Sequence, residues 1–213
     1  MWILGSRQET VAAALAGVAG LAGGAACDVA DESEVEQVLA EVRDAMGGVE
    51  VAFVNAGIDG EGKSVMELSA SHFRRVLEVN VLGAFLVARG VARLMPKGGA
   101  IVVNASVNAM RAEPEFADYN ASKAAVASLA QTMALDLAER RIAVTAICPG
   151  YVRTGMTERY LDDPDTASEL LAHIPVRRFG SPDEVAALVN FLATEEAAYM
   201  TGALIPIDGG RNV

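Results

Sequence analysis

Helical and strand-like stretches alternate from one end of this chain to the other, and no feature of the sequence restricts its fold more. Strands that alternate with helices are joined by crossovers, so the pattern predicts an α/β fold, a doubly wound parallel sheet with helices on both faces. The apolar run Trp2–Leu4 leads through Gly5, Ser6 and Arg7 into an Ala-rich helix reaching Val18, and a short strand is expected at Ala26–Val29. Asp31 with Glu34 forms a capping-box signature, after which Val35, Val38, Leu39, Val42 and Met46 recur at helical spacing until Gly47 and Gly48 stop the run. Strands follow at Val51–Val54, Ala100–Val103, Ile142–Ile147 and Ala203–Ile207, with long helices at Ser71–Met95 and Tyr119–Ala138. Ser181, Pro182, Asp183 and Glu184 open the last helix with an N-cap, a first-turn proline and a capping acid.

No repeat or linker divides the 213 residues, and 52% of them are hydrophobic, enough for a single domain spanning 1–213 to bury a core without disulfide or metal. The formal net charge of -11 opposes phosphate backbones and anionic lipid, and no Lys/Arg cluster offsets it locally, which argues against nucleic acid and membrane partners. Cys27 and Cys148 each lie in an apolar stretch, the pattern of buried free thiols in a reducing compartment, so a cytoplasmic location is expected.

Tyr119 and Lys123 are four apart on a helix and project from one face, a spacing that an exposed pair also satisfies. Ser106 stands at the end of a strand, and only the polar segment Asn104–Asp118 separates it from Tyr119. Strand ends of a parallel sheet face the ligand crevice, so a hydroxyl, a phenol and an ammonium would converge there. His72 and His173 have no ligand spacing around them; they read as surface or helix residues, and no metal site is expected.

With these motifs in order, the chain from Trp2 to Gly210 resembles the short-chain dehydrogenase/reductase family, and is similar to its β-ketoacyl carrier-protein reductase-like members. Asp28-Val29 resembles the family's adenine-contacting acid, Asn55-Ala56-Gly57 its sheet-and-cofactor turn, and Asn80 its helix asparagine. Ser106, Tyr119 and Lys123 match the catalytic serine and the Tyr-x-x-x-Lys pair. Pro149-Gly150-Tyr151-Val152-Arg153-Thr154 matches the segment touching the nicotinamide amide, and Asp208-Gly209-Gly210 the closing turn.

The resemblance implies an NAD(P)(H)-dependent oxidoreductase acting on a small carbonyl or secondary alcohol. Tyr119 would exchange the proton, Ser106 would hold the carbonyl oxygen, Lys123 would bond the nicotinamide ribose, and Asn80 would help place a relay water. Lowering a phenol by about 3 pKa units toward neutrality requires roughly 4 kcal/mol in favour of the phenolate, part of it from Lys123 and the positive nicotinamide. A homotetramer or homodimer is implied, its contact made by the long helices. Val126, Leu129 and Met133 form a smooth face that suits either this contact or the sheet. The irregular stretch Thr154–Phe179 is expected to act as a substrate lid.

One part of the family pattern is missing. The Gly-x-x-x-Gly-x-Gly loop that opens the family's first βα unit, and seats a pyrophosphate on a helix N-terminus, does not occur. Met1–Arg7 resembles the second strand instead, so the chain reads as N-terminally truncated relative to the family, with Met1 standing inside a longer natural chain. A sheet without its first strand would have a hole and unpaired edges. Alternatively, Trp2–Leu4 replaces the lost strand and Gly5–Thr10 makes a poor phosphate loop. In the second-strand alignment Ser6 and Arg7 take the place of an acid that would repel a 2′-phosphate, which favours NADP(H) over NAD(H). The rival functional reading is a non-catalytic binding or oligomerisation module.

Overall fold

The computed structural model describes every residue, Met1–Val213. The elements follow the expected alternation: β1 (Trp2–Gly5), α1 (Gln8–Gly17), β2 (Gly23–Ala26), α2 (Glu32–Met46), β3 (Val51–Val54), α3 (Ala70–Leu77), α4 (Ala84–Arg93), β4 (Gly99–Asn104), α5 (Ala117–Leu137), β5 (Ile142–Pro149), α6 (Glu158–Leu161), α7 (Pro164–Ala172), α8 (Pro182–Leu192) and β6 (Leu204–Ile207). The fold is Rossmann-like, with parallel pairing throughout.

Local chemistry explains most boundaries. Asp31 caps α2 by accepting from the amides of Ser33 and Glu34, and Gly47 ends that helix in the left-handed conformation. The Glu34 carboxylate accepts from the Asp28 amide, so the expected reciprocal box is only half made. At α8 the Ser181–Glu184 box is complete. The helix expected over Ser71–Met95 is interrupted by a π-helical stretch, Glu78–Gly83, that joins α3 to α4. The second strand also departs from expectation: it is Gly23–Ala26 rather than Ala26–Val29, because pairing with β1 decides. Trp2 pairs with Gly23 and Ile3 with Gly24. A Cβ on Gly23 would lie 2.3 Å from the Trp2 ring, so the indole needs glycine beneath it.

The strands form two sheets, β1-β2 and β3-β4-β5-β6. The hole expected in the sheet is therefore present: β1 pairs only with β2, and β3 only with β4. Placing Trp2–Leu4 as a replacement central strand is overturned by the same pairing. Apolar side chains beside the unpaired edges stay wet, with Leu4, Val51 and Phe53 at 38%, 44% and 39% exposure. One core nevertheless joins both sheets, running from Cys27, Val29 and Leu39 to Val54, Ile101 and Val144. Val126 and Met133 are buried in that core, so the face offered for assembly lies within the chain, and the reading in which it covers the sheet is the one found. No helix is long and apolar enough to cross a membrane.

Unpaired edges exchange readily, whereas central strands open only with the whole fold. In residues 1–213, amide hydrogen exchange is therefore expected to be faster at β1 and β3 than at Ile101–Val103 or Val144–Ile147. Equal protection in all four strands would mean that the edges are covered in solution.

Candidate active site

Parallel pairing brings the carboxyl ends of β3, β4, β5 and β6 to one edge of the larger sheet, and the chemistry gathers there. Ser106 follows β4, is 6% exposed, and its Oγ accepts from the Asn108 amide at 3.1 Å. Tyr119 projects from the first turn of α5, with Lys123 one turn further on. The Lys123 ammonium is buried, donates to the Asn104 carbonyl at 2.8 Å and lies 5.5 Å from the centre of the Tyr119 ring.

Burial sets both titrations. It pulls the Lys123 ammonium down to about 8. It pushes the Tyr119 phenol up to about 12, the Asp59 charge adding to the rise and the Ser106 hydroxyl opposing it. The protein alone does not depress the phenol as its use near neutrality requires. It keeps the proton on Tyr119.

Asn80 sits in the π-helical stretch, 1% exposed, and its amide bonds two neighbouring elements. Oδ1 accepts from the Ile58 amide at 2.8 Å, while Nδ2 donates to the Ile58 carbonyl at 3.0 Å and to Ser122 Oγ at 3.0 Å. The side chain thus holds the segment after β3 against α5. Gly57 lies in the same corner, where a Cβ would come within 3.2 Å of Asn80 Oδ1 and 3.6 Å of Lys123 Nζ. Asn55 accepts from the Asn104 amide group at 2.7 Å, tying the ends of β3 and β4; Ala56 beside it is exposed.

Asn55, Ser106, Tyr119, Pro149, Gly150, Val152 and Thr154 line one cavity of about 400 Å³. Met156, from the expected lid, and residues that sequence reasoning did not single out complete it. Of the latter, Phe53 comes from the open face of β3, and Val185 and Val189 from α8. Their only sequence signal is apolar character, which any core residue shares.

The expected adenine-side residues do not line this cavity. Ser6 and Arg7 are exposed where β1 enters α1. Asp28 pairs with Arg75 at 3.0 Å, and Val29 is buried over Gly83. His72 is a part-exposed residue of α3, as expected, and it has a buried partner. Its Nδ1 lies 2.9 Å from Asp118 Oδ2, on a carboxylate with no exposure at all. His173 is exposed, as expected, and its Nδ1 lies near the Glu169 carbonyl.

A family model described as enoyl-(acyl carrier protein) reductase matches residues 3–212. The chain is 37% identical over 186 residues to glucose 1-dehydrogenase of Gluconobacter oxydans, covering 86% of this chain and 70% of that protein. It is also 37% identical over 192 residues to the 3-oxoacyl-[acyl-carrier-protein] reductase MabA of Mycobacterium tuberculosis, covering 89% and 76%. Among solved structures, an NAD+-bound xylitol dehydrogenase superposes with a TM-score of 0.93 at 34% identity, over 98% of this chain and 88% of that one. A gluconate 5-dehydrogenase from Burkholderia cenocepacia, in complex with NADP and tartrate, gives 0.91 at 28% identity, over 99% and 84%.

The buried ammonium has a consequence for stability. The folded chain releases the Lys123 proton near pH 8, below the ordinary lysine value of 10.5, so the unfolded chain binds more protons between the two. This contribution makes stability rise with pH across that window. Lys123→Met, which removes the buried charge but leaves the Asn104 carbonyl unpaired, is expected to gain about 2 kcal/mol at neutral pH. Urea unfolding across the pH range measures both effects; a loss of stability at pH 7 would contradict the assignment.

Proposed function

The chain belongs to the short-chain dehydrogenase/reductase family, and on that premise we propose that it reduces a small or medium carbonyl compound, or oxidises the matching secondary alcohol, with Tyr119 exchanging the proton. The observation that carries this reading is the presence of Ser106 and Tyr119 together in the cavity at the carboxyl ends of β4 and β5, with the buried Lys123 ammonium behind them on the Asn104 carbonyl, 5.5 Å from the Tyr119 ring centre. A bound nicotinamide supplies the hydride to carbon, or takes it up.

The residues present fit the nicotinamide and ribose end of that cofactor. A buried ammonium stands behind the cavity, and Asn104 Oδ1, a buried acceptor without a partner, belongs to its wall. Asn55, Gly57, Pro149, Gly150, Val152 and Thr154 would hold that end. The pyrophosphate finds no glycine-rich cradle in residues 1–213. Ser6 and Arg7, free of any acid, favour NADP(H) over NAD(H), since a guanidinium accepts the 2′-phosphate that a carboxylate repels.

Ser106 Oγ donates to the substrate oxygen and orients it. Tyr119, protonated because burial holds its phenol high, gives its proton to that oxygen as negative charge develops there. The Lys123 ammonium stabilises the phenolate left behind. Nothing in this sequence of steps uses a metal. A non-catalytic assembly module would have no use for an intact trio around a cavity. Buried free cysteines suit a cytoplasmic enzyme, and association into a homotetramer or homodimer is inferred from the family alone.

Segment 154–179 reads as the wall that selects substrate. Tyr160 donates its hydroxyl to Asp59 at 2.9 Å and packs edge-on to Phe116, while Arg159 meets the same carboxylate at 2.7 Å, so this segment rests on the loop beside Tyr119. Leu161 is buried, and Met156 lines the cavity. Tyr160→Ala is expected to change KM and substrate preference more than stability; a loss of folding with preference unaltered would make Tyr160 a core residue.

The deciding experiment is Tyr119→Phe, which keeps the ring and removes the proton. Cofactor-dependent absorbance change should fall to less than about a tenth of the parent rate, about 1.4 kcal/mol or more of transition-state stabilisation, while circular dichroism stays unchanged. It is run on residues 1–213 and on a form carrying an upstream βα unit. Greater residual activity would assign the acid elsewhere, and tighter binding of NADH than NADPH would reverse the cofactor preference.

A further inference from the structure

Asp118 stands one residue before Tyr119 and is completely buried, yet the proton path described above makes no use of it. A buried carboxylate is expensive unless hydrogen bonds surround it, so the groups that satisfy it deserve a full account. Oδ1 accepts from the Tyr119 amide at 2.8 Å. Oδ2 accepts from the Glu61 amide at 3.0 Å and lies 2.9 Å from His72 Nδ1. Three elements therefore meet on one side chain: the first turn of α5, the loop after β3, and α3.

The surroundings leave this arrangement no slack. A Cβ on Gly60 would fall 2.7 Å from Asp118 Oδ1, 2.8 Å from the Phe116 ring and 3.3 Å from Tyr119 Cβ, so the loop backbone is pressed against the base of the tyrosine. Glu61, whose amide bonds Asp118, accepts from the Ser69 amide at 2.8 Å through its own carboxylate. Ser69 in turn caps α3 by accepting from the His72 amide. The loop is thus fixed to α3 twice, once through Glu61 and Ser69 and once through Asp118 and His72.

We propose that Asp118 is a positioning residue for the reaction: by bonding the Tyr119 amide, the Glu61 amide and His72 at once, it sets where the Tyr119 ring stands relative to Ser106 and Lys123. Helix N-termini have free amides that water can satisfy, and a first turn held only by water rotates and frays. Here the carboxylate takes over one of those amides and anchors the turn to a loop that Asn80 already holds. The inference rests on Tyr119 as the proton donor.

Asp118→Asn tests it almost isosterically. With its oxygen toward the Tyr119 amide, the new NH2 group faces the Glu61 amide donor. His72 can answer by changing tautomer, but the backbone N–H cannot. His72→Leu is the second variant, because it keeps both backbone bonds and removes only the tie to α3 at a half-exposed site.

The first readout needs no turnover. In protein labelled with [13Cζ]tyrosine, the Tyr119 resonance is identified by its loss in Tyr119→Phe. It should move by more than its linewidth in both variants, and further in Asp118→Asn than in His72→Leu, while the Tyr151 resonance stays in place. In an active form, kcat should fall about tenfold in Asp118→Asn with the KM for NADPH changed by less than about threefold, the signature of a misplaced proton donor. A Tyr119 resonance unmoved in a folded Asp118→Asn variant overturns the proposal. So does a kcat within about twofold of the parent in a form that Tyr119→Phe inactivates. Should Asp118→Asn fail to fold, the resonance in His72→Leu decides in the same way. If Tyr119→Phe keeps its rate, the proposed reaction fails, while the resonances still report on positioning.

Discussion

Ile101, Val102 and Val103 have almost no exposure on either face of the sheet, and their backbone groups can bond only to the strands on each side. That requirement, met by parallel pairing with β3 and with β5, fixes the rest of the molecule. Because β4 and β5 run in register from Gly99 and Ile142 to Asn104 and Ile147, Ser106 and Pro149 emerge at the same edge. The α5 helix packs across these strands and brings Lys123 back to the Asn104 carbonyl, closing the site around the strand that created it.

Within this frame, buried polar groups do the positioning. Asn80 bonds Ile58 and Ser122 through its amide, Lys123 spends a donor on Asn104, and Asp118 is satisfied by two amides and a histidine. All of these bonds but the one from the Tyr119 amide to Asp118 cross between elements distant in sequence, so losing one leaves a donor or acceptor unpaired in a water-poor corner. The same low polarity raises the phenol and lowers the ammonium. Geometry and proton affinity in this site thus share one cause, the exclusion of water at the mouth of β4 and β5.

The layered α/β architecture was legible because its signals are local: helical periodicity in α2, β-branched residues in β4, and the Ser181–Glu184 cap. Ser106, Tyr119 and Lys123 were legible because their spacing survives as a linear pattern. The β2 boundary was not, since Gly23-Gly24-Ala25-Ala26 carries no strand propensity and is a strand only because β1 lies beside it. Nor could the sequence reveal that Asn80 is committed to Ile58, or that His72 faces Asp118; the partners in that pair stand 46 positions apart and meet only after α3 docks on α5. The cavity wall from α8 was hidden for a simpler reason, because Val185 and Val189 look like any buried helical stripe.

The joint between the two sheets is built on absent side chains. Val29 sits where a Cβ on Gly83 would come within 2.6 Å, and Leu39 where one on Gly90 would come within 2.1 Å, so α2 and the turn after β2 lie directly on the backbone of the π-helical stretch and α4. No other strand contact ties β1 and β2 to the rest of the fold. Position 83 is consequently closed to drift. Leu135 and Tyr199, at 80% and 102% exposure, can change with little effect on packing within the chain. A single methyl group at Gly83, which would meet the Val29 Cβ at 3.1 Å and its backbone carbonyl at 3.2 Å, would lever the small sheet away from the large one, and Asp28 would move with it, far from the cavity beside Tyr119.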